Sequence, residues 1–139
     1  MKKKILIVDD DAPVRESLRK LLEASGYAVE LAAGRRQAEA ALDKENVDLL
    51  IIDLQLSHHD GWEVVGHVSS QSPWLPVLLV TSDLDQLDPE TLPAMCGFLE
   101  KPIDPSLLLR KIGELLSDLP GQPKTRLAEP ALSTAKAAA

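Results

Sequence analysis

The chain has 139 residues, 45% hydrophobic and 3% aromatic, enough for one aliphatic core and too apolar for disorder along its whole length. Its formal net charge of −7 removes the generic attraction to phosphate backbones on which nucleic-acid binders rely, so direct nucleic-acid binding is not expected. No apolar stretch nears the roughly 20 residues needed to cross a bilayer, and the basic start Met1-Lys2-Lys3-Lys4 precedes an apolar run too short for an export signal. A protein without membrane insertion is expected, and the lone Cys96, which has no internal partner for a disulfide, fits a reducing cytoplasm.

The first aliphatic run, Ile5 to Val8, reads as a strand and ends at Asp9, Asp10 and Asp11. A helix follows over Pro13 to Ser25, where Val14, Leu18, Leu21 and Leu22 recur at helical spacing; Asp11 is its N-cap and Gly26 its stop. Ala28 to Ala32 is a second strand, followed by a helix from Arg35 to Lys44 with an Ala-rich face. Leu49 to Ile52 is a third strand, ending at Asp53, and a helix from Trp62 to Ser70 closes at Pro73. Val77 to Val80 is a fourth strand, ending at Thr81. The helix expected between Asp88 and Cys96 is weak because Pro93 would remove a backbone donor and clash within it. A short fifth strand at Phe98 to Leu99 leads to Lys101, and an amphipathic helix runs from Pro105 to Leu119 through Leu108, Leu109, Ile112, Leu115 and Leu116. From Pro120 the periodicity fails, so residues 1–119 are expected to form the domain and 120–139 a flexible tail or truncated linker.

Continuous aliphatic strands alternating with helices predict an α/β fold, a doubly wound parallel sheet with right-handed crossovers. In such folds ligands sit beyond the carboxyl ends of the strands. Those ends hold Asp9 and Asp10, Asp53, Thr81 and Lys101. Taken alone, Asp9 and Asp10 could be an acidic helix start. Carboxylates crowded at one rim repel one another unless a cation sits among them, and hard oxygen ligands without His or Cys point to Mg²⁺.

The run Ile5-Leu6-Ile7-Val8-Asp9-Asp10, Asp53-Leu54 with Asp60-Gly61 downstream, Thr81, and Lys101-Pro102 resemble the response-regulator receiver family of two-component signalling over about Lys3 to Leu119. The resemblance implies a flavodoxin-like (βα)5 fold with strand order 2-1-3-4-5. It implies that Asp53 accepts a phosphoryl group, that Thr81 and Lys101 assist, and that Asp9, Asp10, Asp53 and the backbone carbonyl of Gln55 hold Mg²⁺. It marks Lys101-Pro102 as a cis-peptide candidate, and Thr81 with Phe98 as the switch pair. Phe98 has no hydroxyl, so that switch would be driven by packing. The implied partners are a sensor histidine kinase or histidine phosphotransfer protein and an unidentified output protein, with room for a phosphorylation-dependent dimer. The implied activity is a signalling phosphoacceptor that catalyses only its own phosphorylation and dephosphorylation.

Ser57 stands where family members usually carry proline, and the segment Asp83 to Cys96 departs from a regular helix. Gln55 and Asp83 fall where the family tunes water's access to the acyl phosphate, although both also read as solvated loop residues. His58 and His59 read as loop surface rather than metal ligands. Trp62 and Trp74 are expected to cover core edges. Two other functions compete: an Asp-based phosphohydrolase, which would carry a second acid where Gln55 stands, and a degenerate scaffold, which the full acidic set with Thr81 and Lys101 opposes.

Overall fold

In the computed structural model, which describes residues 2–44, 46–56, 60–87, 92 and 96–117, strands and helices alternate along the chain. The elements are β1 (Lys4–Val8), α1 (Ala12–Ala24), β2 (Ala28–Ala32), α2 (Arg35–Lys44), β3 (Leu49–Asp53), α3 (Asp60–Gln71), β4 (Val77–Thr81), β5 (Cys96–Glu100) and α4 (Pro105–Ser117), with a short 3₁₀ turn at Leu84–Gln86 after β4. The strands form one parallel sheet in the order β2-β1-β3-β4-β5.

Alternation along the buried strands sorts their side chains onto two faces. Leu6, Val8, Leu50, Ile52, Val77 and Leu79 pack with Ala38 of α2 and with Val64, Val65 and Val68 of α3. Ile5, Ile7, Leu49, Ile51, Leu78 and Val80 pack with Leu18 and Leu22 of α1 and with Leu108 and Ile112 of α4. The sheet is therefore covered on both sides, which is why β1, β3 and β4 read as unbroken aliphatic runs. Each such side chain contributes about 1.5–3 kcal/mol by leaving water.

Local chemistry sets the helix ends. Asp11 caps α1 by accepting the Val14 N–H, and Pro13 in the first turn needs no intrahelical donor. Gly26, at φ +96°, turns the chain out of α1 in a conformation that other residues rarely adopt. Asp60 and Glu63 in the first turn of α3 complement its dipole, and Asp104 accepts the Ser106 N–H at the start of α4.

Several boundaries differ from the sequence reading. Strand β5 spans five residues rather than two, because Cys96 and Gly97 pair with Val77 and Leu78 of β4 despite glycine's poor strand propensity. A Cβ on Gly97 would come to 3.4 Å from both Leu78 and Leu115, so α4 lies directly against the sheet at this residue. Helix α3 begins at Asp60, two residues before Trp62. The expected helix between Asp88 and Cys96 falls on residues outside those described, apart from Leu92 and from Cys96, which opens β5. Ser57, His58, His59 and the segment after Ser117 also lie outside the described residues. Trp62 packs against the core as expected, but Trp74 is 62% exposed. Between Pro73 and Pro76 it is Leu75, at 4% exposure, that turns inward instead.

Candidate functional site

The strands deliver their polar residues to one rim through backbone bonds that continue the ladder past the last apolar side chain. Asp9 N–H donates to the Ala32 carbonyl at 3.2 Å, Leu54 N–H to Val80 at 2.9 Å, and Lys101 N–H to Thr81 at 2.9 Å. The positions of Asp9, Asp53, Thr81 and Lys101 are thus fixed by the sheet rather than by flexible loops. Asp9, Asp53 and Thr81 are the buried polar residues among those described, each no more than 5% exposed.

Burying carboxylates is costly unless their oxygens find donors. Asp53 Oδ2 accepts from Lys101 Nζ at 2.7 Å and Oδ1 from the Gln55 backbone N–H at 2.8 Å. Asp9 Oδ1 accepts from the Asp11 N–H at 2.9 Å. Desolvation nevertheless holds the Asp9 carboxyl above its ordinary range; the Asp11 hydrogen bond works against this, Asp53 adds to it, and Lys101 opposes it.

Asp9, Asp10 and Asp53 can each offer an oxygen within 4.8 Å of the other two. Three carboxylates against the single Lys101 ammonium leave two negative charges uncompensated, which a divalent cation would balance. The all-oxygen donor set suits Mg²⁺ rather than a thiophilic or imidazole-seeking metal. The charge excess of the ionised cluster fits such an ion.

Thr81 Oγ1 accepts from the Asp83 N–H at 3.1 Å, closing a turn directly after β4. The Lys101–Pro102 peptide is cis. Phe98 is partly buried and packs against the core on the α2 and α3 side of the sheet. Gly61 has a steric reason for its identity: a Cβ there would lie 2.9 Å from Leu54 Cα and 3.0 Å from the Asp53 carbonyl oxygen, so the first turn of α3 can rest on the end of β3.

Three contacts carried no sequence signal of their own. Arg15 Nη1 donates to the Asp9 carbonyl at 2.6 Å, tying α1 to the end of β1. The position of Arg15 one turn into α1 is the only hint, since residues there face back toward the strand. Gln55 Oε1 accepts the Ser82 N–H at 3.2 Å, and Gln55 Nε2 donates to Ser82 Oγ at 2.7 Å. That pair joins residues 27 positions apart, beyond the reach of any local pattern.

An open parallel sheet thus carries, among the described residues, a buried carboxylate, a lysine and an acidic pair at its carboxyl rim. Residues 5–113 match the family described as the response regulator receiver domain. The alginate biosynthesis transcriptional regulatory protein AlgB of Pseudomonas aeruginosa is 35% identical over 107 residues, 76% of this chain and 24% of AlgB. The response regulator MprA of Mycolicibacterium vanbaalenii is 40% identical over 79 residues, 57% of this chain and 34% of MprA. The chain therefore spans about a quarter to a third of the length of these relatives. Among solved structures, the chemotaxis response regulator CheY4 of Vibrio cholerae superposes with TM-score 0.73 at 32% identity, covering 84% of this chain and 100% of CheY4. The response regulator TrrA of Thermotoga maritima, in complex with Mg²⁺ and BeF, gives TM-score 0.75 at 27% identity over 82% of this chain and 99% of TrrA.

The chain belongs to the response regulator receiver domain family. Its five-stranded parallel sheet has the strand order 2-1-3-4-5 implied by the resemblance. Among the described residues, no helix is long and apolar enough to cross a membrane.

Proposed function

We propose that this domain accepts a phosphoryl group on Asp53 from a phosphohistidine of a sensor kinase or phosphotransfer protein, and so switches its affinity for an output partner. The observation that carries this reading is the Asp53 carboxylate itself. It is 4% exposed, paired with Lys101 at 2.7 Å, and beside Asp9 and Asp10 in a charge-unbalanced cluster.

In the transfer, a carboxylate oxygen of Asp53 forms a bond to phosphorus as the phosphorus–nitrogen bond breaks, and the imidazole leaves with a proton. Lys101 holds positive charge where the phosphoryl oxygens arrive, and the Gln55 N–H fixes the orientation of the carboxylate. The Thr81 hydroxyl has a proton to donate to a phosphoryl oxygen. Asp9, Asp10, Asp53 and the Gln55 carbonyl are the groups that would hold Mg²⁺, which when bound neutralises negative charge on the phosphoryl oxygens. Attack of water on the acyl phosphate releases inorganic phosphate and restores the carboxylate, ending the signal.

Packing of Phe98, which has no hydroxyl to satisfy, would carry the change to the face beside β5. The domain itself is assigned to residues 1–119, with 120–139 as a tail or linker, and a cytoplasmic site of action suits the donor chemistry. The relatives named as transcriptional regulators support an output in gene control, exerted through a partner or an attached domain rather than through this acidic surface.

Incubation with acetyl phosphate and Mg²⁺, read by intact-mass spectrometry, tests the reading. A gain of one phosphoryl group that Asp53→Asn abolishes supports it. Sustained phosphate release at enzyme-like turnover would favour a phosphohydrolase, and absence of labelling would favour a phosphorylation-independent scaffold.

A further inference from the structure

The Gln55 side chain does more than sit in solvent beside the site. Its backbone N–H is bonded to Asp53 Oδ1, while its carboxamide takes up both polar groups of Ser82, accepting the backbone N–H and donating to the hydroxyl. One residue thus links the Asp53 carboxylate to the loop that begins directly after Thr81. The same loop is held a second time by the bond from the Asp83 N–H to Thr81 Oγ1.

A phosphoryl group on Asp53 would bring new, highly charged acceptor oxygens to this rim. Backbone donors there are already occupied: Gln55 N–H by Asp53, Ser82 N–H by Gln55 Oε1, and Asp83 N–H by Thr81. Charge-assisted acceptors outcompete a neutral carboxamide oxygen for the same N–H. Gln55 Oε1 therefore stands on Ser82 as a neutral substitute for a phosphoryl oxygen.

We propose that the paired hydrogen bonds between the Gln55 carboxamide and Ser82 form a latch that holds the loop after β4 in its unphosphorylated arrangement, and that the latch opens when a phosphoryl group occupies Asp53. This inference rests on the receiver reading above and assigns Gln55 a positioning role through Ser82. Opening the latch costs two hydrogen bonds at a solvent-exposed position, so its absence favours the phosphoryl-bound state.

The test is titration of the intact chain with beryllofluoride in saturating Mg²⁺, followed by Trp62 fluorescence, with a separate Mg²⁺ titration. Beryllofluoride adds to a carboxylate as a phosphoryl mimic. Gln55→Ala binds it about three- to tenfold more tightly than the wild type, the equivalent of one to two modest hydrogen bonds. Ser82→Ala, which keeps the N–H but removes the hydroxyl, gives a smaller gain with Mg²⁺ affinity unchanged, a split that general loosening of the loop would not produce. In the Gln55→Ala background, Ser82→Ala adds nothing further. Amide exchange at Ser82 speeds up in unliganded Gln55→Ala, and beryllofluoride, whose charged fluorines take over the Ser82 N–H, slows it again in that variant. Beryllofluoride affinity in Gln55→Ala equal to or weaker than that of the wild type, or additive effects of the two substitutions, would overturn the latch. A wild type that binds no beryllofluoride at all would overturn the receiver reading, and the latch with it.

Discussion

Gly61→Ala probes how tightly α3 is seated against the phosphoacceptor strand. The added Cβ would lie 2.9 Å from Leu54 Cα, 3.0 Å from the Asp53 carbonyl oxygen and 3.2 Å from the Leu54 carbonyl carbon. Comfortable carbon contacts lie at about 3.5–4.0 Å, and all three neighbours are backbone atoms that cannot rotate away. Overpacking of this kind costs about 1–3 kcal/mol, and alanine's better helix propensity returns at most about 1 kcal/mol, so net destabilisation of about 1–2 kcal/mol is expected. Gly66, in the same helix, is the control: a Cβ there would meet nothing within 4 Å, and Gly66→Ala should stabilise by about 0.5–1 kcal/mol. Urea unfolding at constant m-value reads both changes. Because relief of the clash must move Asp53 or the start of α3, Gly61→Ala should also weaken Mg²⁺ uptake, whereas Gly66→Ala should not. Equal stability of Gly61→Ala and Gly66→Ala, with Mg²⁺ binding intact in both, would refute the reasoning.

Burial keeps the Asp9 carboxyl above its ordinary range, so the folded chain holds that proton more tightly than the unfolded one. The stability this group contributes is full below the ordinary carboxyl value and is lost as pH rises through the raised folded value; at neutral pH in chelator, Asp9→Asn should therefore raise the urea midpoint. Added Mg²⁺ should reverse the order, stabilising the wild type more than the variant. Lys101→Met removes a charged hydrogen bond from Asp53 Oδ2 and should slow phosphoryl uptake from acetyl phosphate by roughly 10- to 100-fold, measured by intact mass over time. Burial pushes the Cys96 thiol up to about 11, so alkylation by iodoacetamide near pH 8 should run roughly a hundredfold slower in the folded protein than in urea.

The sheet was legible because β1, β3 and β4 are buried on both faces, and that burial is written as unbroken Ile, Leu and Val. Asp9, Asp53, Thr81 and Lys101 could be grouped because each follows or ends such a run, and parallel topology brings the ends of all the runs to one rim. Strand β5 was only half legible, since Cys96 and Gly97 are extended by pairing with β4 and by the approach of α4 rather than by their own preference. Trp74 defeats a reading from sequence because a proline-flanked turn can send either of two adjacent large apolar residues inward, and Leu75 fills that place. The contacts of Arg15 and of the Gln55–Ser82 pair were invisible because hydrogen bonds between separate elements depend on how the folded strand ends lie against their neighbours, which no periodicity encodes.

The most direct test of the account is to locate the modification after treatment with acetyl phosphate and Mg²⁺. Borohydride cleaves an acyl phosphate on aspartate reductively and leaves homoserine, which peptide mass spectrometry can assign to a single position. The account predicts homoserine at residue 53 alone, dependent on Mg²⁺ and missing from Asp53→Asn. Homoserine at Asp9 or Asp10, or at no position despite a correctly folded chain, would contradict it.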